Sequence, residues 1–559
     1  FGLQVQLVQP FELGAAFSAL ALGAFYLLLS AWGLRRAQTL DGEHAVVGRW
    51  LGECFVALGL GFITLAVPLA LDARWTSAVW AVEGAAVYWM GQRQGRWLPR
   101  AVGLALQGLA ALSYLKGVAY QPGGEWPLAN PAFIGAVLLA ASALALAHWV
   151  RQIVPGAARR QGGSLLDLVA RAFEDLEPRL PSLLFWVGFL WWQFALLHEI
   201  ERAAPDANGN WAPVIGSALQ SHLEMLGWLA SAFVAHRFAL AAREKPWAIA
   251  ATPAWFSLPI MFLFALQGVM QLDHVFQTWG WVVWPVALVL HGWMLRNLDA
   301  SAPEVLWRWV HTGGVWLVVL LGGNLLLWGI QQARLQGTAW ASVIVLVAAI
   351  GVLLALSAQR WMDDERSARQ RWPLDRFAMS YLWHAALPLA VAVALGALFV
   401  AVHSDGNARP LPYVPLLNPT DLSIALALGA VALWLTRVRA SGLVLPDLAY
   451  LRRWSLVLAG FAFVAINTVW LRSVHHYAGV PWDAGRLFES FLVQAGYSIL
   501  WTLLALGLMV LAHRRALRSV WMGGAGLLGL TVLKLFTLDL SNRGGSERIV
   551  AFIAVGLLM

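Results

Sequence analysis

The sequence is poor in charge, has almost no lysine and contains a single cysteine. Charged residues make up 12% of the 559 positions, about half the fraction of soluble domains, so most of the surface faces something other than water. The lone Cys54 excludes an intramolecular disulfide framework and a cysteine metal cluster. No GxxxxGK[ST], GxSxG or HExxH motif occurs, and no GxGxxG opens a βαβ unit. Nucleotide-driven pumping and the common hydrolase chemistries therefore lack support, and any energy source is expected to be an ion gradient, the substrate or a partner.

The basic charge is carried almost wholly by arginine. The formal net charge is +8, and Lys116, Lys245 and Lys534 supply the lysines. No basic run is interleaved with exposed aromatic residues as a nucleic-acid groove requires, so no nucleic-acid partner is expected. The arginines lie in short segments between apolar stretches, where membrane topology is a sufficient reason for them.

Long apolar stretches dominate the chain, which is 60% hydrophobic and contains 33 tryptophans. A bilayer core about 30 Å thick requires roughly 20 apolar helical residues, and by this criterion the sequence predicts about 17 spans. They begin near Phe11, Trp50, Arg74, Leu98, Pro131, Pro181, Trp211, Trp247, Thr278, Val305, Thr338, Tyr381, Asp421, Leu451, Gly485, Leu517 and Ser546. The predicted fold is an all-α polytopic membrane bundle that forms one domain over residues 1–559.

The connections between spans alternate in charge. Arginine-rich segments, such as those with Arg35 and Arg36 or Arg514 and Arg515, alternate with segments such as YQPGGEWPLANP and HSDGNARPLPYVPLLNPTD. Short cytoplasmic loops retain arginine, which predicts that the second set is periplasmic, that the chain starts on the periplasmic side and that its last helix runs toward the cytoplasm. The cytoplasmic connection 152–180 contains LLDLVARAFEDLEPRL, which predicts an interfacial amphipathic helix.

Glu83 is the clearest ionisable residue inside a predicted span. It lies about 14 Å from the outer end of its helix, close to the midplane, and Trp80 is one turn above it. A charged side chain within a span is a functional candidate by default. The sequence leaves open whether this carboxyl serves a ligand or proton relay or only locks helix packing.

A second candidate lies in NTVWLRSVHHYAGVP. Arg472, His475 and His476 share one side of a helix, and Asn467 lies about one turn deeper. The arginine repels a divalent cation and no carboxylate or cysteine completes a ligand set nearby, so no metal is expected. An anionic ligand such as phosphate or carboxylate suits these donors better. The alternative is that the histidines only bind backbone carbonyls.

Further polar groups lie toward the predicted outer side. Lys534 and Asp539 in KLFTLDLSNRGGSER, with Arg548, predict either a ligand site or an ion-pair cluster that fixes two helices. The secondary candidates are more simply buried hydrogen-bond partners than catalysts. They are His198, Glu199, His222, Glu224, Gln267, Gln271 and His274.

Four separated segments of the sequence are informative when they are taken together. They are FITLAVPLALDARWTSAVWAVEGAAVYWMGQRQ, LPYVPLLNPTDL, NTVWLRSVHHYAGVP and KLFTLDLS with RIVAFIAVGLLM. In this order they resemble a bacterial family of large predicted multi-pass membrane proteins known only as a domain of unknown function. The resemblance implies an all-helical polytopic fold in a Gram-negative envelope, with further hydrophobic segments before Phe1. It implies no activity for particular residues.

Three functions are compatible with the sequence. The leading interpretation is transport or handling of an anionic amphipathic envelope component, in an outward-opening cleft between the helices that carry Glu83 and the cluster from Arg472 to His476. One alternative is a membrane-embedded transferase for a lipid-linked substrate at the periplasmic face, with His475, Glu83 or Asp539 as acid and base groups. The other is a non-catalytic scaffold for envelope protein partners. The expected location is the bacterial inner membrane among its lipids, and no cofactor is expected.

Overall fold

The structure of the chain is a computed structural model. It describes residues 11, 13–37, 43–70, 73–120, 128–152, 165–203, 215–241, 247–299, 303–358, 372–442 and 448–539. In these ranges the regular elements are all helical, and the packing divides into two compact units, Phe1–Phe264 with Gln277–Met294 and Ala265–Phe276 with Leu295–Met559. This division describes how the helices pack. The predicted single membrane domain over residues 1–559 stays a prediction.

The first unit is built from helices that follow one another along the chain. They are α1 (Gly14–Ala37), α2 (Glu43–Ala70), α3 (Ala73–Gln94), α4 (Trp97–Tyr120), α5 (Pro131–Val150), α6 (Leu165–Leu176), a 3-10 turn (Glu177–Arg179), α7 (Pro181–Ala203), α8 (Ser217–Ala241) and a 3-10 segment (Ala248–Phe256). The helices α9 (Ser257–Gln271) and α10 (Gly280–Leu298) contribute to both units.

The second unit contains the remaining helices. They are α11 (Glu304–Gln332), α12 (Ala339–Leu356), α13 (Leu374–Met379), a π-helix (Ser380–Ala385), α14 (Ala386–His403), α15 (Pro419–Ser441), α16 (Leu448–Ala478), α17 (Ala484–Glu489), α18 (Phe491–Arg514), α19 (Arg518–Lys534) and a second π-helix (Leu535–Asp539). Its core lies between α12, α14 and α15, where small residues such as Ala390 and Ala427 pack around Trp434.

The predicted all-α polytopic fold is confirmed. Within the described ranges 13 helices are long and apolar enough to cross a membrane, and each span predicted before Ser546 coincides with a helix. The span predicted from Ser546, and Arg548 within it, lie outside the described residues. The helices α3, α8 and α10 are not among the 13, and each carries polar residues within its length.

Two connections that the sequence predicts to be periplasmic end in the same helix-start signal, Asn-Pro. The Asn130 side chain accepts a hydrogen bond of 2.8 Å from the backbone N–H of Phe133 at the start of α5. The Asn418 side chain accepts one of 2.9 Å from the N–H of Thr420 at the start of α15. An asparagine cap followed by proline satisfies an orphan backbone donor and fixes the first helical residue, so these sequences set where α5 and α15 begin.

A close approach between α3 and α4 in the first unit depends on two glycines. A Cβ atom on Gly103 would lie 2.5 Å from the carbonyl oxygen of Gly84 and 2.8 Å from the backbone nitrogen of Tyr88. Small residues at a helix interface let two backbones come into direct contact. This contact positions the Glu83 and Tyr88 side of α3.

Candidate functional site

A large apolar cavity lies in the first unit between α5, α7, α8 and the 3-10 segment. Its volume is about 910 Å³, at the upper end of the range of ligand pockets. It is lined by Leu144, Ala145, His148, Arg151, Phe185, Phe189, Trp192, Leu196, Gly227, Ala230, Ser231, Val234, Ala235, Phe238, Ala241, Trp247 and Ala250. The sequence predictions did not include this site.

The cavity walls are helical faces that combine large and small residues. The α7 wall runs from Phe185 to Leu196, about 16 Å along the helix axis. The α8 wall offers small side chains such as Ala230, which leave space in front of the aromatic α7 wall. Val234 and Phe238 on α8 are 51% and 65% exposed, so the cavity is open along this side. Its shape suits a hydrocarbon chain.

The polar groups of the cavity gather at the end where α5 terminates. The Arg151 guanidinium lies 5.1 Å from the ring centroid of Trp247, in the range of a cation–π interaction. The His148 ring lies 5.9 Å from the same indole and its Nε2 is 3.0 Å from the Gln152 amide nitrogen. By the alternation of loop charge, this is the predicted cytoplasmic end.

The middle of the cavity wall carries one satisfied polar pair. The Trp192 indole N–H donates to the Ser231 hydroxyl at 2.8 Å, and that hydroxyl donates to the Gly227 carbonyl at 2.6 Å. Since these donors are used within the wall, the interior presents an apolar surface with charge at one end. This arrangement can hold an amphipathic molecule.

Arg472, from the predicted outer cluster, is fully buried and paired inside the second unit. Its Nη2 and Nε lie 2.6 and 2.9 Å from Asp421 Oδ1, and Nη1 donates to the Ala401 carbonyl at 3.0 Å. Asp421 Oδ2 accepts from the Tyr413 hydroxyl at 3.4 Å and from the Leu416 N–H at 3.2 Å. This network joins the ends of α14, α15 and α16 to the connection between α14 and α15.

The two adjacent histidines both contact backbone carbonyls. His475 Nδ1 lies 2.7 Å from the Val480 oxygen, and His476 Nε2 lies 2.9 Å from the Asp405 oxygen. The His476 ring also stacks on Tyr413 at 4.4 Å between centroids. These are the contacts expected if the two histidines only bind backbone carbonyls. Anion binding by Arg472, His475 and His476 stays a prediction.

Glu83 is half-buried in α3, in the first unit, whereas Arg472 belongs to the second. Among the residues that the structure describes, no hydrogen-bond donor is within reach of its carboxylate. Its neighbour Trp80 donates an indole N–H to the Thr64 carbonyl on α2 at 3.0 Å. The predicted cleft between Glu83 and the Arg472 cluster stays a prediction.

Lys534 is buried at the end of α19, where Nζ donates at 2.8 Å both to the Gln494 carbonyl and to the Ser498 hydroxyl on α18. The side chain of Asp539 lies outside the described residues. Asn467 accepts a hydrogen bond of 2.7 Å from the Trp501 indole through Oδ1. Lys534 and Asn467 therefore bind α18 to its two neighbouring helices, and their role toward a ligand stays a prediction.

Among the secondary candidates in the first unit, Glu199 links two segments of the chain. Its carboxylate accepts from the Leu128 N–H at 3.0 Å and the Asn130 side chain at 2.9 Å, and Arg202 Nη1 lies 3.5 Å away. Glu199 thus fixes the cap of α5. His198 stacks on Phe194.

The other secondary candidates are not among the residues that line the cavity. Glu224 accepts from the Gln220 amide at 2.8 Å, and His222 is buried. Gln267 donates to Gln271 at 3.2 Å, and the His274 ring stacks on Trp328 at 4.3 Å. No group of three or more histidine, cysteine, aspartate or glutamate side chains in the described ranges could hold a metal ion.

A buried ion pair that sequence reasoning missed joins the predicted cytoplasmic ends of α3 and α4. Glu177, in the turn after α6, lies 2.8 Å from Arg100 Nη1 and accepts a hydrogen bond of 2.8 Å from the Tyr88 hydroxyl. Burial raises the pKa of the Glu177 carboxyl, while the Tyr88 hydrogen bond and the Arg100 charge oppose this rise. On α6 itself, Leu168 and Leu176 are exposed, and an interfacial position for this helix stays a prediction.

The cavity had only a weak signal in the sequence. The apolar helix α5 ends in His148, Trp149 and Arg151, but such an ending is equally typical of a helix that leaves the bilayer into a cytoplasmic loop. Periodicity cannot tell which helices are neighbours, and a cavity depends on neighbours.

Comparison with known proteins gives a family and no closer relative. No curated protein and no solved structure matches the chain. The family described as "Predicted membrane protein (DUF2339)" matches residues 1–559, and the chain belongs to this family.

Proposed function

We propose that the protein binds and handles an anionic amphipathic component of the bacterial inner membrane. The observation that carries this proposal is the cavity of the first unit, which combines about 910 Å³ of apolar space with a basic end at His148 and Arg151. An acyl chain would occupy the apolar part, and a phosphate or carboxylate headgroup would lie beside Arg151.

The apolar walls favour a hydrocarbon occupant. Each buried methylene contributes about 0.8 kcal/mol relative to water, but a chain already in a bilayer gains little by moving between apolar surroundings. Recognition therefore depends on the headgroup end, where Arg151 and Trp247 lie. Basic pockets between spans on the cytoplasmic side are typical sites for anionic headgroups.

Retention of lipids during purification tests the proposal. The protein is reconstituted in vesicles that contain phosphatidylglycerol and phosphatidylcholine with identical acyl chains, extracted in mild detergent, and analysed by native mass spectrometry. We expect the wild type to retain phosphatidylglycerol preferentially. Arg151→Gln is expected to reduce that preference about tenfold, because a hydrogen bond to a charged group contributes about 1.5–3 kcal/mol.

Two matched controls make this experiment decisive. Ala145 lines the cavity, whereas Ala141, one turn away on α5, is exposed and lies outside it. Ala145→Phe is expected to lower the retention of both lipids, and Ala141→Phe to leave it unchanged. Arg179 is exposed, and Arg179→Gln is expected to keep the preference. Equal retention by the two phenylalanine variants would contradict the proposal.

A further inference from the structure

Three polar side chains form a chain of hydrogen bonds in the second unit. His311 Nε2 lies 3.1 Å from Asp299 Oδ1, and His311 Nδ1 lies 2.9 Å from the Tyr381 hydroxyl. The His311 side chain is fully buried, and its ring stacks on Phe377 at 4.1 Å between centroids. An ionisable group buried in a membrane protein is a functional candidate, and its partners here are an acid and a phenol.

The hydrogen bonds are compatible with one arrangement of protons that starts from an ionised Asp299. The second carboxylate oxygen of Asp299 accepts from the indole N–H of Trp372, which can only donate. When Asp299 is ionised, its Oδ1 also accepts, and His311 Nε2 then carries a hydrogen. In a neutral imidazole the other nitrogen is an acceptor, so His311 Nδ1 accepts the hydroxyl hydrogen of Tyr381.

The cationic side chains near His311 have partners other than the Asp299 carboxylate. Arg376 on α13 donates to the backbone carbonyl of Asp299, and on α11 Arg308 is paired with Glu304 at 2.5 Å. His384 lies on the π-helix against Trp309. While His311 is neutral, none of the charged groups named here is bonded to the buried Asp299 carboxylate. When His311 takes up a proton, its hydrogen bond to Asp299 becomes an ion pair. Opposite charges in contact favour the charged form of both groups.

The backbone places Tyr381 at the accessible end of this chain. Tyr381 is half-buried and lies in the π-helix Ser380–Ala385, while Phe377 just before it has non-helical dihedral angles of −115° and 22°. Single π-helical turns within helices are frequent at functional sites. The His311 side chain is fully buried and the Asp299 side chain is 9% exposed, so Tyr381 is the most exposed of the three residues.

We propose that His311 is a proton-binding site, with Asp299 as its counter-charge and Tyr381 as the relay to water. In the uptake step a hydronium ion donates a proton to the Tyr381 oxygen while the original phenolic proton passes to His311 Nδ1. The products are water, an intact phenol and an imidazolium that is paired with the Asp299 carboxylate. The ligand of this site is a proton, and an ion gradient is one of the three energy sources that the lack of a nucleotide motif leaves open.

The test is nuclear magnetic resonance of the ¹⁵N-histidine-labelled full chain in lipid vesicles as a function of pH. The His311 signal is identified as the one that His311→Gln removes. We expect a protonated Nε2 and an unprotonated Nδ1 at high pH, and protonation of Nδ1 as the pH falls. Asp299→Asn is expected to lower the proton affinity about tenfold or more, and Tyr381→Phe to slow proton exchange while His311 still titrates.

Controls separate the site from general effects on the fold. Asp483 is an exposed helix cap whose asparagine variant still caps α17, and Asp483→Asn is expected to leave the His311 titration unchanged. If His311→Gln does not fold, Tyr381→Phe, which removes one oxygen atom, identifies the signal instead. A His311 that stays neutral over the whole pH range in which the protein is folded, or an equal titration after Asp299→Asn, would overturn the proposal.

Discussion

Two arginines, Arg151 in the first unit and Arg472 in the second, have opposite surroundings. The first unit leaves about 910 Å³ of open space among apolar walls and keeps Arg151 at one end of it. The second unit encloses Arg472 completely and uses Asp421 and backbone carbonyls as its partners. Arg472, which the sequence analysis singled out, is paired with Asp421, whereas the open space lies beside Arg151, which the sequence analysis did not single out.

The reason for this difference is the unequal cost of an unfilled space and an unpaired charge. A space lined by apolar side chains loses only part of its dispersion contacts, and lipid can fill it. A buried charge without a partner costs several kcal/mol. A binding cavity in a membrane protein is therefore expected to have apolar walls and a charge at its edge, as in the first unit.

The largest expected effect comes from breaking the pair in the second unit. Arg472→Met leaves the Asp421 carboxylate buried without its cation, and we expect the free energy of unfolding to fall by about 3–5 kcal/mol. Equilibrium unfolding in detergent followed by circular dichroism measures this change. The exposed Arg486 on α17 provides the control, since Arg486→Met is expected to change stability by less than about 0.5 kcal/mol. A loss of similar size in both variants would contradict the structural role of Arg472.

A smaller effect is expected where the first unit is tightly packed. Gly103→Ala places a methyl group against the Gly84 carbonyl, and such overpacking is expected to destabilise the protein by about 1–3 kcal/mol. Gly108 on the same helix has open space around it, so Gly108→Ala is expected to be neutral or stabilising. The same unfolding measurement compares the two variants, and equal stabilities would show that α3 and α4 do not touch at the glycines.

The smallest expected effect is a pH dependence from Glu177. Its pKa in the folded protein is raised, chiefly by burial, so the folded state holds this proton more tightly than the unfolded state. The stability that Glu177 contributes is then fully present below its ordinary pKa and is lost as the pH rises through the raised value. We expect the difference in unfolding free energy between wild type and Glu177→Gln to decrease with rising pH over that window. A difference that is constant or increases would contradict the raised pKa.

The helices were predictable because hydropathy is a local property. The Asn-Pro starts of α5 and α15 and the apolar lengths that follow them can be seen without any knowledge of neighbours. Boundaries were less exact, because helices extend beyond their apolar part. The helix α2 begins at Glu43 and not near Trp50, since the helix continues through polar residues before the apolar run.

The sites could not be predicted to the same extent because their partners are distant in the sequence. Asp421 lies 51 residues from Arg472, and Tyr381 lies 70 residues from His311. Lys534 Nζ donates to Gln494 and Ser498, which lie 40 and 36 residues away on α18, and its predicted pairing with Asp539 stays a prediction. A pairing of this kind depends on helix packing, which hydropathy and loop charge do not encode.

The most direct test of the central claim is a density map of the protein in phosphatidylglycerol nanodiscs. The account predicts an elongated density along the cavity walls of α5, α7 and α8, with its headgroup end within hydrogen-bond distance of Arg151, and no such density in Ala145→Phe. A cavity that is empty in the wild type, or a lipid whose headgroup lies at the Leu196 end, would contradict it.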